Sequence, residues 1–144
     1  MKASLSIITL GVADPAASHS FYSGGLGWDA ALYDPDEVVF YQVGPGLLLS
    51  CFRRDMLAQE AGPAGPADSA PLTLGHNVQS PAEVDTVLAE AAAAGGSILA
   101  PGTQRSWGGY SGYFADPDGH RWEVAFNPGL VVDGNGNVCI KAIE

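Results

Sequence analysis

Glu123, Tyr113, Ser111 and Arg121 are the residues whose types and spacing suggest chemistry, and all four lie in the stretch WGGYSGYFADPDGHRWEVAFNP, residues 107–128. Within it, Asp116-Pro117-Asp118-Gly119 sets Pro at the second turn position, where its restricted φ suits a type I turn, and then a Gly for which a positive φ is cheap. If that Gly makes the bulge of a three-residue hairpin loop, Asp116 lies opposite His120. Phe114 then pairs with Trp122, Tyr113 with Glu123 and Ser111 with Ala125. Alternation puts Phe114, Trp122, Val124 and Phe126 on one face as an apolar wall. Ser111, Tyr113, Arg121, Glu123 and Ala125 fall on the other, which is small and polar. A carboxylate beside a tyrosine on an open sheet face suits a ligand anchor, or a general base with the phenol as hydrogen-bond donor. Trp107, in the glycine-rich lead, adds a flat apolar ring for ligand contact, and glycines beside it permit close approach. Tyr110 has the parity of the core face. Inside a fold, Glu123 needs a partner, and Tyr113 across the hairpin or Arg121 two residues away would serve. An Arg–Glu pair with no catalytic task is the structural alternative.

The elements that must position this hairpin are legible upstream. Leu5 to Val12 alternates as a strand, and Asp14-Pro15 then provides an N-cap with Pro at the first helical position, opening a helix to about Tyr22. Gly24, Gly25 and Gly27 end it. Trp28 to Tyr33, Val38 to Val43 and Leu47 to Phe52 read as strands, the last two joined at Gly44-Pro45-Gly46. The same order returns after Pro71. A strand over Leu72 to Gln79 leads to Ser80-Pro81 with Glu83, a capping box on a helix whose apolar stripe is Val84, Val87, Leu88 and Ala91. Gly95-Gly96 closes that helix, a short strand follows at Ser97 to Ala100, and the hairpin supplies the last two strands.

The chain is therefore expected to be α+β, one domain built from two tandem β-α-β-β-β repeats. Repeat one covers about residues 4–54, a linker rich in Ala, Gly and Pro about 55–71, repeat two about 72–128, and a C-terminal extension 129–144. In the extension, Val131 to Lys141 reads as a small hairpin or an ordered tail.

Length and composition bound the function. The 144 residues suffice to bury a core without disulfides or structural metal. A net charge of -10 with six Lys and Arg argues against nucleic acid and against a membrane surface, while it would draw a cationic small molecule to an acidic cleft. No apolar run is long enough to cross a bilayer, and the two cysteines, both among apolar neighbours, read as buried thiols. A cytoplasmic protein is expected.

The doubled unit, with Phe21-Tyr22 late in the first helix, Gly25-Leu26-Gly27-Trp28 after it and DPDGHRWEV near the end, resembles the vicinal-oxygen-chelate superfamily from Ser6 to Pro128. That group includes glyoxalase I, bleomycin-resistance proteins, fosfomycin-resistance enzymes and extradiol dioxygenases. The resemblance implies curled mixed sheets around a cavity, and a homodimer. It also implies a divalent metal held by His or Gln on each first strand and Glu on each fourth. Seven residues before Asp14 stands Ile7, and seven before Ser80 stands Thr73. Glu123 matches the second carboxylate. Its counterpart in repeat one is Ser50, with Leu49 or Cys51 one residue away. One good donor of four does not hold a catalytic ion, so no cofactor is expected and a divalent metal is disfavoured. His76 and His120 face away from Glu123, and His19 lies on the first helix.

Trp107, Ser111, Tyr113, Arg121, Glu123, Ser50, Thr73 and Ile7 thus stand as ligand-lining positions, with Glu123 the catalytic residue if the protein is an enzyme. Two classes of function follow. One is a metal-independent binding protein for a small aromatic or cationic molecule, in the manner of bleomycin resistance. The other is a lyase, isomerase or dioxygenase with a non-standard metal set, or with Glu123 as general base.

Overall fold

The computed structural model describes residues 1–3, 5–62 and 72–141. The chain divides between Pro71 and Leu72 into two units, each with a four-stranded mixed sheet.

In the first unit, the alternating residues of β1 (Ile7–Val12) run parallel to β4 (Leu47–Arg53), which pairs antiparallel with β3 (Val38–Gly44), itself beside β2 (Ala30–Asp34). Leu10, Val12, Val39, Tyr41, Leu49 and Cys51 are buried together with Phe21 and Tyr22 from the helical segment. That segment departs from the expected single helix to Tyr22. The α-helix α1 (Pro15–His19), capped by Asp14 accepting from the Ala16 amide, widens into a π-helical stretch over Ser20–Gly25. There the Leu26 amide donates to the Phe21 carbonyl at 2.9 Å. Gly24 and Gly25 impose little helical preference, and the wider turn seats both aromatic side chains in the core.

The expected linker is also corrected at its start, because α2 occupies Arg54–Ala61. It buries no residue, so it left no apolar stripe to read; Met, Leu, Ala, Gln and Glu form it by intrinsic preference. Arg53 binds Asp55 side chain to side chain at its start, and Gly62, with φ 87°, ends it. The rest of the expected linker, residues 63–71, lies outside the described residues.

In the second unit, β5 (Leu74–Asn77) runs parallel to β8 (Arg121–Phe126), followed across the sheet by β7 (Tyr110–Ala115) and β6 (Ser97–Gln104). The order repeats that of the first unit. The helix α3 (Pro81–Ala93) buries Val84, Leu88 and Ala91, and packs on β6, β7 and β8. Ser80 caps it by accepting from the Glu83 amide at 3.2 Å, while Glu83 reaches back to the amide of Gln79 rather than to that of Ser80. Gly112 lets helix and strands approach: a Cβ there would fall 2.5 Å from Leu88 Cδ1 and 2.9 Å from the Ala100 carbonyl oxygen.

β5 is shorter than the expected strand, and β6 continues past Ala100 to Gln104. The register of β6 shifts between Ala100 and Thr103, and this bulge absorbs Pro101-Gly102. Beyond β8, β9 (Leu130–Val132) and β10 (Val138–Ile140) form a two-stranded hairpin. Cys51 is buried, but Cys139, expected to be buried, is exposed on β10, because two strands cannot cover it. Among the described residues no helix is long and apolar enough to cross a membrane.

Candidate functional site

The hairpin of β7 and β8 positions the chemistry. Gly119, at φ 86°, donates its amide to the Asp116 carbonyl, and the Asp116 amide meets the His120 carbonyl at 3.0 Å. The Asp116 side chain, itself buried, accepts from the amides of Asp118 and His120. A turn tied in this way leaves one register, with Phe114 opposite Trp122, Tyr113 opposite Glu123 and Ser111 opposite Ala125. Phe114 and Trp122 are buried and stack with centroids 6.0 Å apart, which anchors the core face.

On the opposite face, the Tyr113 hydroxyl donates to Glu123 Oε1 at 3.0 Å. Both side chains are half-buried. Of the two partners open to Glu123, Tyr113 makes this direct bond. Burial, and after it the hydrogen bond to Glu123 and that carboxylate's charge, hold the Tyr113 phenol above the ordinary tyrosine range, while Arg105 and Arg121 pull it down. Arg121, at the turn end of β8, is exposed. Ser111 is buried and receives two hydrogen bonds from Arg105, from Nε to its Oγ at 2.8 Å and from Nη2 to its carbonyl oxygen at 3.0 Å. The Arg105 guanidinium also stands over the Tyr113 ring, 5.9 Å from its centroid.

Arg105 is not among the residues that the sequence pattern marks. It follows β6 rather than sharing the hairpin's alternation, and its only signal was being an isolated cation in a Gly- and Ser-rich stretch. Trp107 is about half exposed, and its indole lies over Gly109, where a Cβ would fall inside the ring. Tyr110 takes the helix side, donating to Asp85 of α3. Thr73 is exposed and precedes β5; the β5 residue in register with Glu123 is Gly75.

In the first unit Ser50 takes the position that Glu123 holds in the second, while Ile7 pairs with Leu48 rather than with Ser50. Thr9 pairs with Ser50 as Gly75 pairs with Glu123, and Phe40 pairs with Ser50 as Tyr113 pairs with Glu123. This register selects Ser50 over Leu49 and Cys51, which point into the core. Ser50 donates its hydroxyl proton to Thr9 Oγ1 at 2.9 Å. Ile7 is 45% exposed and has no donor atom to give a cation. Taken unit by unit, Ser50 offers a hydroxyl that binds metal poorly, and Glu123 is a single carboxylate already bonded to Tyr113, so neither position by itself fits a divalent metal. Among the described residues no three of His, Cys, Asp or Glu gather where they could hold a metal ion.

Residues 4–124 match the model of the Glyoxalase/Bleomycin resistance protein/Dioxygenase superfamily, and the chain belongs to that family. No curated protein matches it. Among solved structures, it is similar to a glyoxalase-related enzyme from Fulvimarina pelagi, at 38% identity over 97% of this chain and 99% of that one, with a TM-score of 0.88. A glyoxalase/bleomycin resistance protein from Albidiferax ferrireducens T118 is 28% identical over 86% and 98% of the two chains, with a TM-score of 0.63. The fold extends to a lactoylglutathione lyase from Agrobacterium tumefaciens, 23% identical over 87% and 94%, with a TM-score of 0.64.

Proposed function

We propose that this protein binds a small molecule carrying an aromatic or cationic group and does so without a catalytic metal. The observation that carries the proposal is Glu123, a half-buried carboxylate on the sheet face away from α3 that is oriented by Tyr113 at 3.0 Å, with no group of three His, Cys, Asp or Glu gathered for a metal among the described residues. Such a carboxylate accepts hydrogen bonds from an ammonium or N–H group, while the tyrosine ring gives flat apolar contact. We place the protein in the cytoplasm as a homodimer, in keeping with a buried free thiol at Cys51 and the resemblance described above. Ligand-observed NMR with benzylammonium tests the reading. Binding should weaken by about tenfold on Glu123→Gln, the loss of one charge-assisted bond; equal binding to both proteins would refute it.

A second reading is favoured by the 38% identity to a glyoxalase-related enzyme. In it Glu123 acts as a general base, taking a proton from bound substrate while the Tyr113 hydroxyl stabilises the charge that develops. Turnover of a bound compound that disappears on Glu123→Gln, with binding retained, would favour catalysis over sequestration.

A further inference from the structure

Arg105 is a held but incompletely used cation. A guanidinium has five N–H donors, and the two bonds to Ser111 use Nε and one hydrogen of Nη2. Among the described residues no acceptor takes the other three, and no carboxylate pairs with it. The chain holds sixteen Asp and Glu against six Lys and Arg, so an acidic partner would be easy to supply if the role were structural. Instead the residue is half-buried, aligned by Ser111 along one edge, and its guanidinium stands over the ring of Tyr113, 5.9 Å from the centroid. None of its nitrogens is buried without a partner, so the uncommitted Nη1 and Nη2 hydrogens are open to a ligand, and they form the fork that matches a carboxylate's two oxygens.

We infer that Arg105 is a specificity-determining residue that receives a carboxylate of the ligand, so that the bound molecule is bifunctional. Its carboxylate meets Arg105, its flat portion lies against Tyr113, and an ammonium or N–H group meets Glu123. The inference rests on the binding reading above and narrows its ligand from a cation to a zwitterion or amino-bearing acid. The cationic group alone satisfies only the Glu123 end.

The test uses the full chain and two probes in NMR titrations, benzylammonium and 4-(aminomethyl)benzoate, which differ by one carboxylate. The unsubstituted protein should prefer the carboxylate-bearing probe by about tenfold, the scale of one charge-assisted pair. Arg105→Leu should abolish that preference, and it should strengthen benzylammonium binding because a nearby positive charge is gone. Ser111→Ala keeps the charge but frees the guanidinium, and should lose part of the preference; it serves as the second variant if Arg105→Leu folds poorly by circular dichroism. A preference absent at the start, or unchanged in both variants, overturns the role of Arg105, and Glu123-dependent binding of benzylammonium would then leave the binding reading standing. If neither probe binds, the binding reading falls and this inference with it.

Discussion

The pair of Tyr113 and Glu123 makes a quantitative demand on stability. A hydrogen bond to a charged group contributes about 1.5–3 kcal/mol when enclosed, but both side chains are only half-buried and solvent screening reduces this to about 1 kcal/mol. In a cycle of Tyr113→Phe, Glu123→Ala and the double variant, the coupling energy should therefore be about 1 kcal/mol, with each single variant less stable than the parent. Urea unfolding at pH 7 measures it, and for a chain of 144 residues the same coupling corresponds to about 2–4 °C in Tm. A cycle with Glu123→Gln should retain about half the coupling, since an amide oxygen still accepts but a charge-assisted bond is roughly twice as strong as a neutral one. A coupling within about 0.3 kcal/mol of zero would mean that the tyrosine does not position the carboxylate in solution.

Three other expectations follow from particular contacts. Because Tyr113 holds its proton more tightly folded than unfolded, its contribution to stability is complete below the ordinary tyrosine pKa of about 10 and is lost as pH rises through the higher folded value. Ultraviolet titration should show this tyrosine ionising earlier in Glu123→Gln; an unchanged titration would contradict the assigned cause. Gly109→Ala would put a Cβ inside the Trp107 ring and 2.6 Å from the Phe126 carbonyl oxygen, so the indole must leave and the backbone must shift. The expected results are a changed tryptophan emission and a loss of about 1–3 kcal/mol; unaltered emission and stability would contradict that packing. Ser80→Ala removes the cap of α3 and should cost about 1 kcal/mol in urea unfolding, against only a few tenths for Ser80→Gly.

The hairpin was legible because a Pro-Asp-Gly turn allows one loop length, and loop length sets register. The faces of Tyr113, Glu123 and Trp122 then followed from alternation. In the first unit the same logic lost a residue, since the Gly44-Pro45-Gly46 turn brings a register shift between Gln42 and Gly44; pairing with Thr9 was needed to distinguish Ser50 from its neighbours. The strand expected over Ser97 to Ala100 runs on to Gln104 because a bulge accommodates Pro101-Gly102. α2 has intrinsic helix formers without an apolar stripe, and Cys139 has apolar neighbours in sequence but no third layer in space. Arg105 was hidden for a different reason: a long side chain reaches six residues ahead to Ser111, and neither period nor turn chemistry reports such a contact.

Under the proposed function, Glu123 anchors a ligand without a metal. Elemental analysis of the full chain purified without chelator, beside Glu123→Ala, tests it most directly. No stoichiometric divalent metal is expected in either protein, and a chelator should leave binding of 4-(aminomethyl)benzoate unchanged. One equivalent of metal in the parent, absent from Glu123→Ala, would contradict it.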